Sequence, residues 1–384
     1  MIRSTSAAVA LALAVFAPIG ASPQGPAGVV DTVLNFSATD GTRLEAKLSV
    51  PAGAAGPVGV VFNLHGAGPR NFDHRVRYRD KAGEIKAVNY YDYYARELAA
   101  RGFAFFRMSK RGCSVDAAGA PQVDRAVFSK VTSTVLLDDY ARALDVLRAR
   151  KDVNARDIIL LGGSEGTRLA PQLATRSPAG ITRLALMSYQ ADNIHDTVVW
   201  QNTVGPWRAI THLIPAAADD RLTRAEYDEA LKTDATLAQR LPFAAFDTDR
   251  DAAITRDEAI RVVKPRLDAI LKAVEDRNDD FLWAALVNLS SAYLLDGWKA
   301  EPTSALLLKV KVPIAIFHGE ADGTTRVEGA REAAEAFTSA GRRDLTLFIY
   351  PGFDHDLGWT PQGALGPGPK PFQDFFSWVA GRSR

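Results

Sequence analysis

The 384-residue sequence has a single cysteine, Cys113, so no disulfide can form within the chain and stability must come from the core. Charge of one sign is also lacking. With 46 basic and 45 acidic residues the formal net charge is +1, which leaves no basic field to hold a phosphate backbone and argues against a nucleic-acid partner. Beyond the first residues no apolar run is long enough to cross a bilayer. No internal repeat runs through the chain's alternating portion, and no long low-complexity stretch interrupts it.

What is present suits a large soluble core: 47% of residues are hydrophobic and 24% charged, over a length that allows two or three domains. The N-terminus reads as a secretory signal over residues 1–22. Arg3 is followed by an apolar run from Ala7 to about Ala17, then by small residues at Gly20, Ala21 and Ser22. A buried N-terminal helix is the other reading of that run, but the Pro/Gly-rich stretch after it fits a mature tail. No cysteine follows that would carry a lipid. The expected destination is the periplasm or the medium, with no membrane span after cleavage.

Residues 29–50 predict a hairpin turning at Asp40-Gly41. Val58–Leu64 is a continuous apolar run, the pattern of a strand buried on both faces. Helix is expected over about 91–101, strand over 102–108, helix over 136–150, strand over 157–161, helix over 165–176 and strand over 184–188. The alternation stops from His195 to about Ala305, where the pattern is helical and carries Trp200, Trp207, Trp283 and Trp298. It resumes with strand 312–317, helix 326–340, strand 345–350 and helix 372–380. Strand–helix alternation predicts an α/β fold: a mostly parallel, doubly wound sheet in two parts, 29–194 and 306–384, with a helical insertion at 195–305. Trp200, Trp207 and the Phe281–Trp283 run suit either an acyl pocket or the insertion's own core.

Gly162-Gly163-Ser164-Glu165-Gly166 follows a strand and opens a helix, the context in which G-x-S-x-G places a serine on a tight turn at the sheet's C-terminal edge. The helix start favours a developing negative charge, so the Glu165 N–H is one expected oxyanion donor. A second should come from the loop after 58–64, His65-Gly66-Ala67-Gly68, with Ala67 preferred and Gly66 next. A serine hydroxyl needs a base, and the base needs an orienting acid. On such an elbow the acid and then the histidine follow in the chain. His355 lies in the loop after the last strand, where it can hang over the serine, whereas His318 closes a strand and suits packing. Glu320 and Asp322 both qualify as the acid, and Asp322 also suits a helix cap. Cys113 suits a small loop residue, since nothing near it activates a thiol.

The stretches FSATDGTRLEAKLSVP, NLHGAGP, FFRMSKRGCS, LLGGSEGTRLAP, FHGEADGTTRV and YPGFDHDLGW together resemble the α/β-hydrolase superfamily. They are closest to the bacterial group of prolyl oligopeptidase catalytic domains, dienelactone hydrolases and acyl-transferring hydrolases. The resemblance implies the α/β-hydrolase fold and selects Asp322 as the acid of a Ser164–Asp322–His355 triad. It also implies a small acyl substrate and no cofactor for the chemistry. That family holds esterases, peptidases and thioesterases alike, so an ester is expected with a peptide as alternative. A non-catalytic calcium-binding or interaction protein on the same scaffold is a further alternative. Two departures stand out: Arg111-Gly112 is followed by Cys113-Ser114 rather than by Gly-x-Gly, and the insertion has no counterpart in these relatives.

Within the insertion, Asp247 to Glu258 resembles an EF-hand loop. Asp247, Asp249, Asp251 and Glu258 would offer carboxylate oxygens and Ala253 its carbonyl to a structural Ca²⁺. The sixth position is Ala252 where glycine is usual, which should weaken binding. A degenerate partner loop ends at Leu222-Thr223-x-x-Glu226, with Pro215 and Ala217 at its first and third positions. The same residues also suit an acidic helix–turn–helix without metal.

Overall fold

The structure, a computed structural model, describes residues 28–211, 214, 220–233, 237–361, 363 and 366–381. The expected signal, Pro215 and Ala217 lie outside the described residues. Among the described residues no helix is long and apolar enough to cross a membrane.

Eight strands form the central sheet: β1 (Val29–Ser37), β2 (Arg43–Pro51), β3 (Val58–Leu64), β4 (Ala104–Met108), β5 (Val153–Gly163), β6 (Ile181–Met187), β7 (Ile314–Gly319) and β8 (Leu345–Tyr350). Their order is β1-β2-β4-β3-β5-β6-β7-β8. The hairpin β1–β2 is antiparallel, β2 meets β4 antiparallel, and every later pairing is parallel. This is the α/β-hydrolase fold, with helices on both faces of the sheet.

The apolar runs explain why the middle strands are central. Successive side chains point to opposite faces of a strand. Val60, Phe62 and Leu64 accordingly join one core cluster and Val61 the other. Ile158 and Leu160 of β5 likewise face away from Ile159 and Leu161. Fully burying such a side chain contributes about 2–3 kcal/mol. Helices Tyr90–Ala99 and Lys370–Val379 cover one face through Tyr94, Leu98, Phe372 and Phe375. Helices Ser133–Arg148, Gly166–Arg176 and Val327–Ser339 cover the other through Leu144, Leu169 and Ala330.

Between β6 and β7 the chain is mainly helical. Leu267, Ile270, Leu282 and Leu294 of this insertion join the core of the sheet. Trp207, Leu222, Tyr227 and Ile254 form a separate small core. The insertion is thus anchored on the sheet and carries an outer lobe. Two short ribbons were not expected from the sequence: Arg75–Arg79 with Ile85–Asn89, and Cys113–Val115 with Pro121–Val123.

Candidate active site

Ser164 occupies the turn between β5 and helix Gly166–Arg176 with φ of 51°, in the left-handed region. The turn is held by the Ser164 N–H donating to the Met187 carbonyl (3.0 Å) and by Thr167 donating to the Ser164 carbonyl through N (2.9 Å) and Oγ1 (2.6 Å). Two of its glycines, Gly162 and Gly166, are required by space. A Cβ on Gly162 would lie 2.5 Å from the Gly166 oxygen, and one on Gly166 would lie 2.0 Å from the Leu64 oxygen.

His355 hangs from the loop after β8. Its Nε2 is 3.0 Å from Ser164 Oγ and its Nδ1 is 2.8 Å from Asp322 Oδ2. An ionised carboxylate only accepts, so Nδ1 carries the proton and Nε2 accepts from the serine hydroxyl. Asp322 is fully buried and also accepts from the N–H groups of Thr324 (2.7 Å) and Thr325 (2.9 Å) and from Thr325 Oγ1 (2.7 Å). Burial alone would raise its pKa, but the charge and hydrogen bond of His355 outweigh it and hold the carboxyl at about 2. Burial pushes the His355 pKa down, yet the Asp322 charge carries it above the ordinary histidine value.

The other candidates are placed elsewhere. Glu320 pairs with Arg331 at 2.7 Å, away from His355. His318 is buried with Nε2 3.3 Å from the Thr325 carbonyl, as a packed residue behind Asp322. Cys113 is buried, and burial pushes its thiol up to about 11, so it stays protonated.

The loop after β3 lies directly against the serine: a Cβ on Gly66 would be 3.4 Å from Ser164 Cβ. Among the described residues the N–H groups of Gly66, Ala67 and Glu165 have no acceptor within the protein. Buried His65 anchors this loop, with Nδ1 2.7 Å from Tyr91 Oη and Nε2 2.6 Å from the Met108 carbonyl. Sequence reasoning missed that anchor, and it missed Lys110 and Tyr293 below the turn; the NLHGAGP and FFRMSKRGCS stretches contain His65 and Lys110, while no motif marked Tyr293.

Ser164 and His355 open on a cavity of about 890 Å³. Its aromatic wall is Tyr90, Tyr91, Tyr94, Trp359 and Phe372, all from the sheet domain. The insertion contributes Gln201, Pro206, Ala209 and Val287. The aromatics weighed for this role lie elsewhere: Trp200 stacks under the Arg208 guanidinium, Trp207 is in the insertion's outer core, Phe281 is exposed and Trp283 packs against the sheet core. Their pattern reflects packing of the insertion itself.

In the EF-hand-like loop, carboxylate oxygens of Asp247, Asp249 and Glu258 lie within 4.8 Å of one another. Leu222 pairs with Ile254 in an antiparallel ribbon. Asp247 Oδ1 is buried without a hydrogen-bond partner, which leaves it free to ligate. Ala253 is buried in the ribbon. Asp251 turns away, with Oδ2 accepting from Arg221 at 2.9 Å. Both Glu258 oxygens accept from the protein: Oε1 from Thr248 Oγ1 (2.8 Å), and Oε2 from the Thr255 N–H (2.9 Å) in a capping box for the helix that follows. Ala252 adopts φ of 66°, the conformation for which glycine is usual.

No protein-family model matches the chain and no curated protein matches it. Solved structures do match, over nearly its whole length. A hypothetical protein from Pseudomonas aeruginosa aligns with TM-score 0.52 and 13% identity over 97% of this chain and 99% of that one. The α/β hydrolase GrgF from Penicillium sp. aligns at 0.49 and 13% over 92% and 99%. A cold-adapted esterase from an Arctic intertidal metagenomic library aligns at 0.46 and 13% over 94% and 97%. Identities of this size carry the fold alone, and the fold in which Ser164, Asp322 and His355 meet is that of the α/β hydrolases.

Proposed function

We propose that the protein is an exported serine hydrolase that cleaves an acyl ester through an acyl-enzyme. The observation that carries this reading is the continuous hydrogen-bonded chain Ser164–His355–Asp322 at the mouth of an 890 Å³ cavity. His355 Nε2 takes the hydroxyl proton as Ser164 attacks the carbonyl carbon. Asp322 stabilises the imidazolium that results and fixes its tautomer. The N–H groups of Glu165 and Ala67 receive the oxyanion, with Gly66 adjoining. His355 then protonates the leaving alkoxide. Water, deprotonated by the same imidazole, releases the acid and restores Ser164. The aromatic wall suits an apolar or aryl acyl group, which favours an ester over a peptide end.

The insertion's loop supports a second element of the reading, a structural Ca²⁺ held by Asp247, Asp249 and Glu258 with the Ala253 carbonyl. The unpaired Asp247 oxygen favours it, while the hydrogen bonds on Glu258 and the turn of Asp251 toward Arg221 predict weak affinity. Calcium would stiffen the outer lobe and take no part in the chemistry.

The test is hydrolysis of p-nitrophenyl esters of increasing chain length by wild type and Ser164→Ala, with calcium or chelator. Turnover lost in the variant supports the reading. Wild type inert toward every ester and toward a fluorophosphonate probe overturns it. Peptide cleavage without esterase activity selects the peptidase alternative.

A further inference from the structure

Beneath the serine turn, three side chains from distant parts of the chain meet in the interior. Lys110 follows β4, Glu165 is the residue after the nucleophile, and Tyr293 lies on the insertion helix Ser291–Trp298; they are 1%, 2% and 5% exposed. Lys110 Nζ donates to the Gly66 carbonyl (2.7 Å), the Gly68 carbonyl (3.1 Å) and Glu165 Oε2 (2.6 Å). These three acceptors use every donor an ammonium has. Tyr293 Oη donates to the remaining oxygen, Glu165 Oε1. Burial and the neighbouring Glu165 charge raise the Tyr293 pKa, so the hydroxyl stays a donor.

The geometry has a direct bearing on the two oxyanion donors. Ala67 N–H belongs to the same peptide group as the Gly66 carbonyl. A cation on that oxygen polarises the peptide and strengthens its N–H as a donor. The other donor, Glu165 N–H, belongs to the residue whose carboxylate the same cation holds. One ammonium therefore ties together the two residues that supply these N–H groups and polarises one of the peptides. The insertion closes the arrangement from the other side: a Cβ on Gly68 would lie 2.6 Å from the Val287 carbonyl.

We infer that Lys110 and Tyr293 are positioning residues of the oxyanion hole, and that the insertion, through Tyr293 and Val287, is a built-in part of that hole rather than a detachable cover. The inference rests on the serine-hydrolase reading. Neither residue touches substrate; both act through the Gly66–Ala67 peptide and Glu165.

Removing one partner of a buried ion pair leaves the other charge uncompensated and endangers folding. The test therefore uses Tyr293→Phe, which changes no charge, and the double variant Lys110→Met/Glu165→Gln, which removes both. Each is assayed on p-nitrophenyl butyrate, with rates expressed per site labelled by a fluorophosphonate. Loss of one oxyanion donor costs about 10²–10³ in kcat, so displaced donors should cost about tenfold in Tyr293→Phe and about a hundredfold in the double variant. KM should stay within about threefold, because the loss falls on the transition state. Affinity for a trifluoromethyl ketone, whose serine adduct carries an oxyanion, should fall in step with kcat/KM. A merely structural role would lower the labelled fraction and leave kcat per labelled site and ketone affinity unchanged. That result, or kcat within twofold of wild type in both variants, overturns the inference while leaving the proposed function intact. Wild type that neither turns over nor labels overturns both.

Discussion

Asp322→Asn should disable the enzyme by reversing one hydrogen bond. Asp322 Oδ1 accepts from two backbone N–H groups, Thr324 and Thr325, at 2.7 and 2.9 Å. An asparagine at this position must keep its carbonyl oxygen there, since its amide nitrogen cannot accept. The NH₂ group then faces His355 Nδ1 and Thr325 Oγ1. Facing a donor, Nδ1 must become the acceptor, and the imidazole proton moves to Nε2, 3.0 Å from Ser164 Oγ. The base then presents a proton where it should take one. Wrong-tautomer variants of such triads lose about 10⁴ in kcat, or about 5 kcal/mol of transition-state stabilisation. The pH profile adds a second readout. Neutral imidazole is the active form, so activity rises as pH passes through the His355 pKa, which in wild type lies above 6.5. Without the Asp322 charge and hydrogen bond, burial lowers that pKa against only the lesser charges of Asp356 and Asp354, so the acid limb should move to lower pH. The assay is kcat for p-nitrophenyl butyrate from pH 5 to 9, normalised to fluorophosphonate-labelled sites. A variant within tenfold of wild type, with an unmoved acid limb, would refute Asp322 as the orienting acid.

Glu320→Gln should leave kcat within about twofold and cost less than about 1 kcal/mol of stability, because it loses only a partly exposed pair with Arg331; a large loss of kcat would reopen the assignment of the acid. Gly166→Ala should cost on the order of 3 kcal/mol in urea unfolding, since its Cβ would press on the Leu64 oxygen at 2.0 Å and separate β3 from the helix behind the serine; a midpoint equal to wild type would contradict that packing. Ala252→Gly should relieve about 1 kcal/mol of the left-handed strain already present at φ of 66°, read as added stability in urea unfolding, while calorimetry reads the calcium heat of both proteins. No calcium heat in either protein would remove the metal from the reading.

The parts legible from sequence were those whose signal is local. Val58–Leu64 has the expected bounds because an apolar run suits a strand covered on both faces, and Leu345–Tyr350, a half-buried edge strand, has them because its β-branched and aromatic residues are bounded by Asp344 and by Pro351-Gly352. The nucleophile turn was legible because its glycines, serine and flanking elements lie within a few residues. The ribbon Arg75–Arg79 with Ile85–Asn89 was not: the first strand alternates exposed and half-buried residues, but Ile85, Lys86 and Ala87 opposite it are all exposed, so only one side of the pair carries a pattern. The tryptophans of the insertion were ambiguous for the opposite reason: an apolar side chain looks the same in a pocket as in a core. Lys110 and Tyr293 were invisible because their contacts to Glu165 span 55 and 128 residues, and nothing local marks a lysine as buried. The carboxylates of the EF-hand-like loop were easy to list, but which of them a neighbouring arginine would draw away depended on the fold of the ribbon.

The lone buried Cys113 has a practical consequence. A chain whose one native thiol is inaccessible and protonated is already a clean background for site-directed spectroscopy. Cysteines introduced at exposed Lys272 on the insertion and exposed Ser339 at the end of the helix after β7 would be the sole reactive thiols. A spin-label or fluorophore pair there would serve as a molecular ruler across the two halves of the molecule, following any displacement of the insertion during turnover without first engineering a cysteine-free protein.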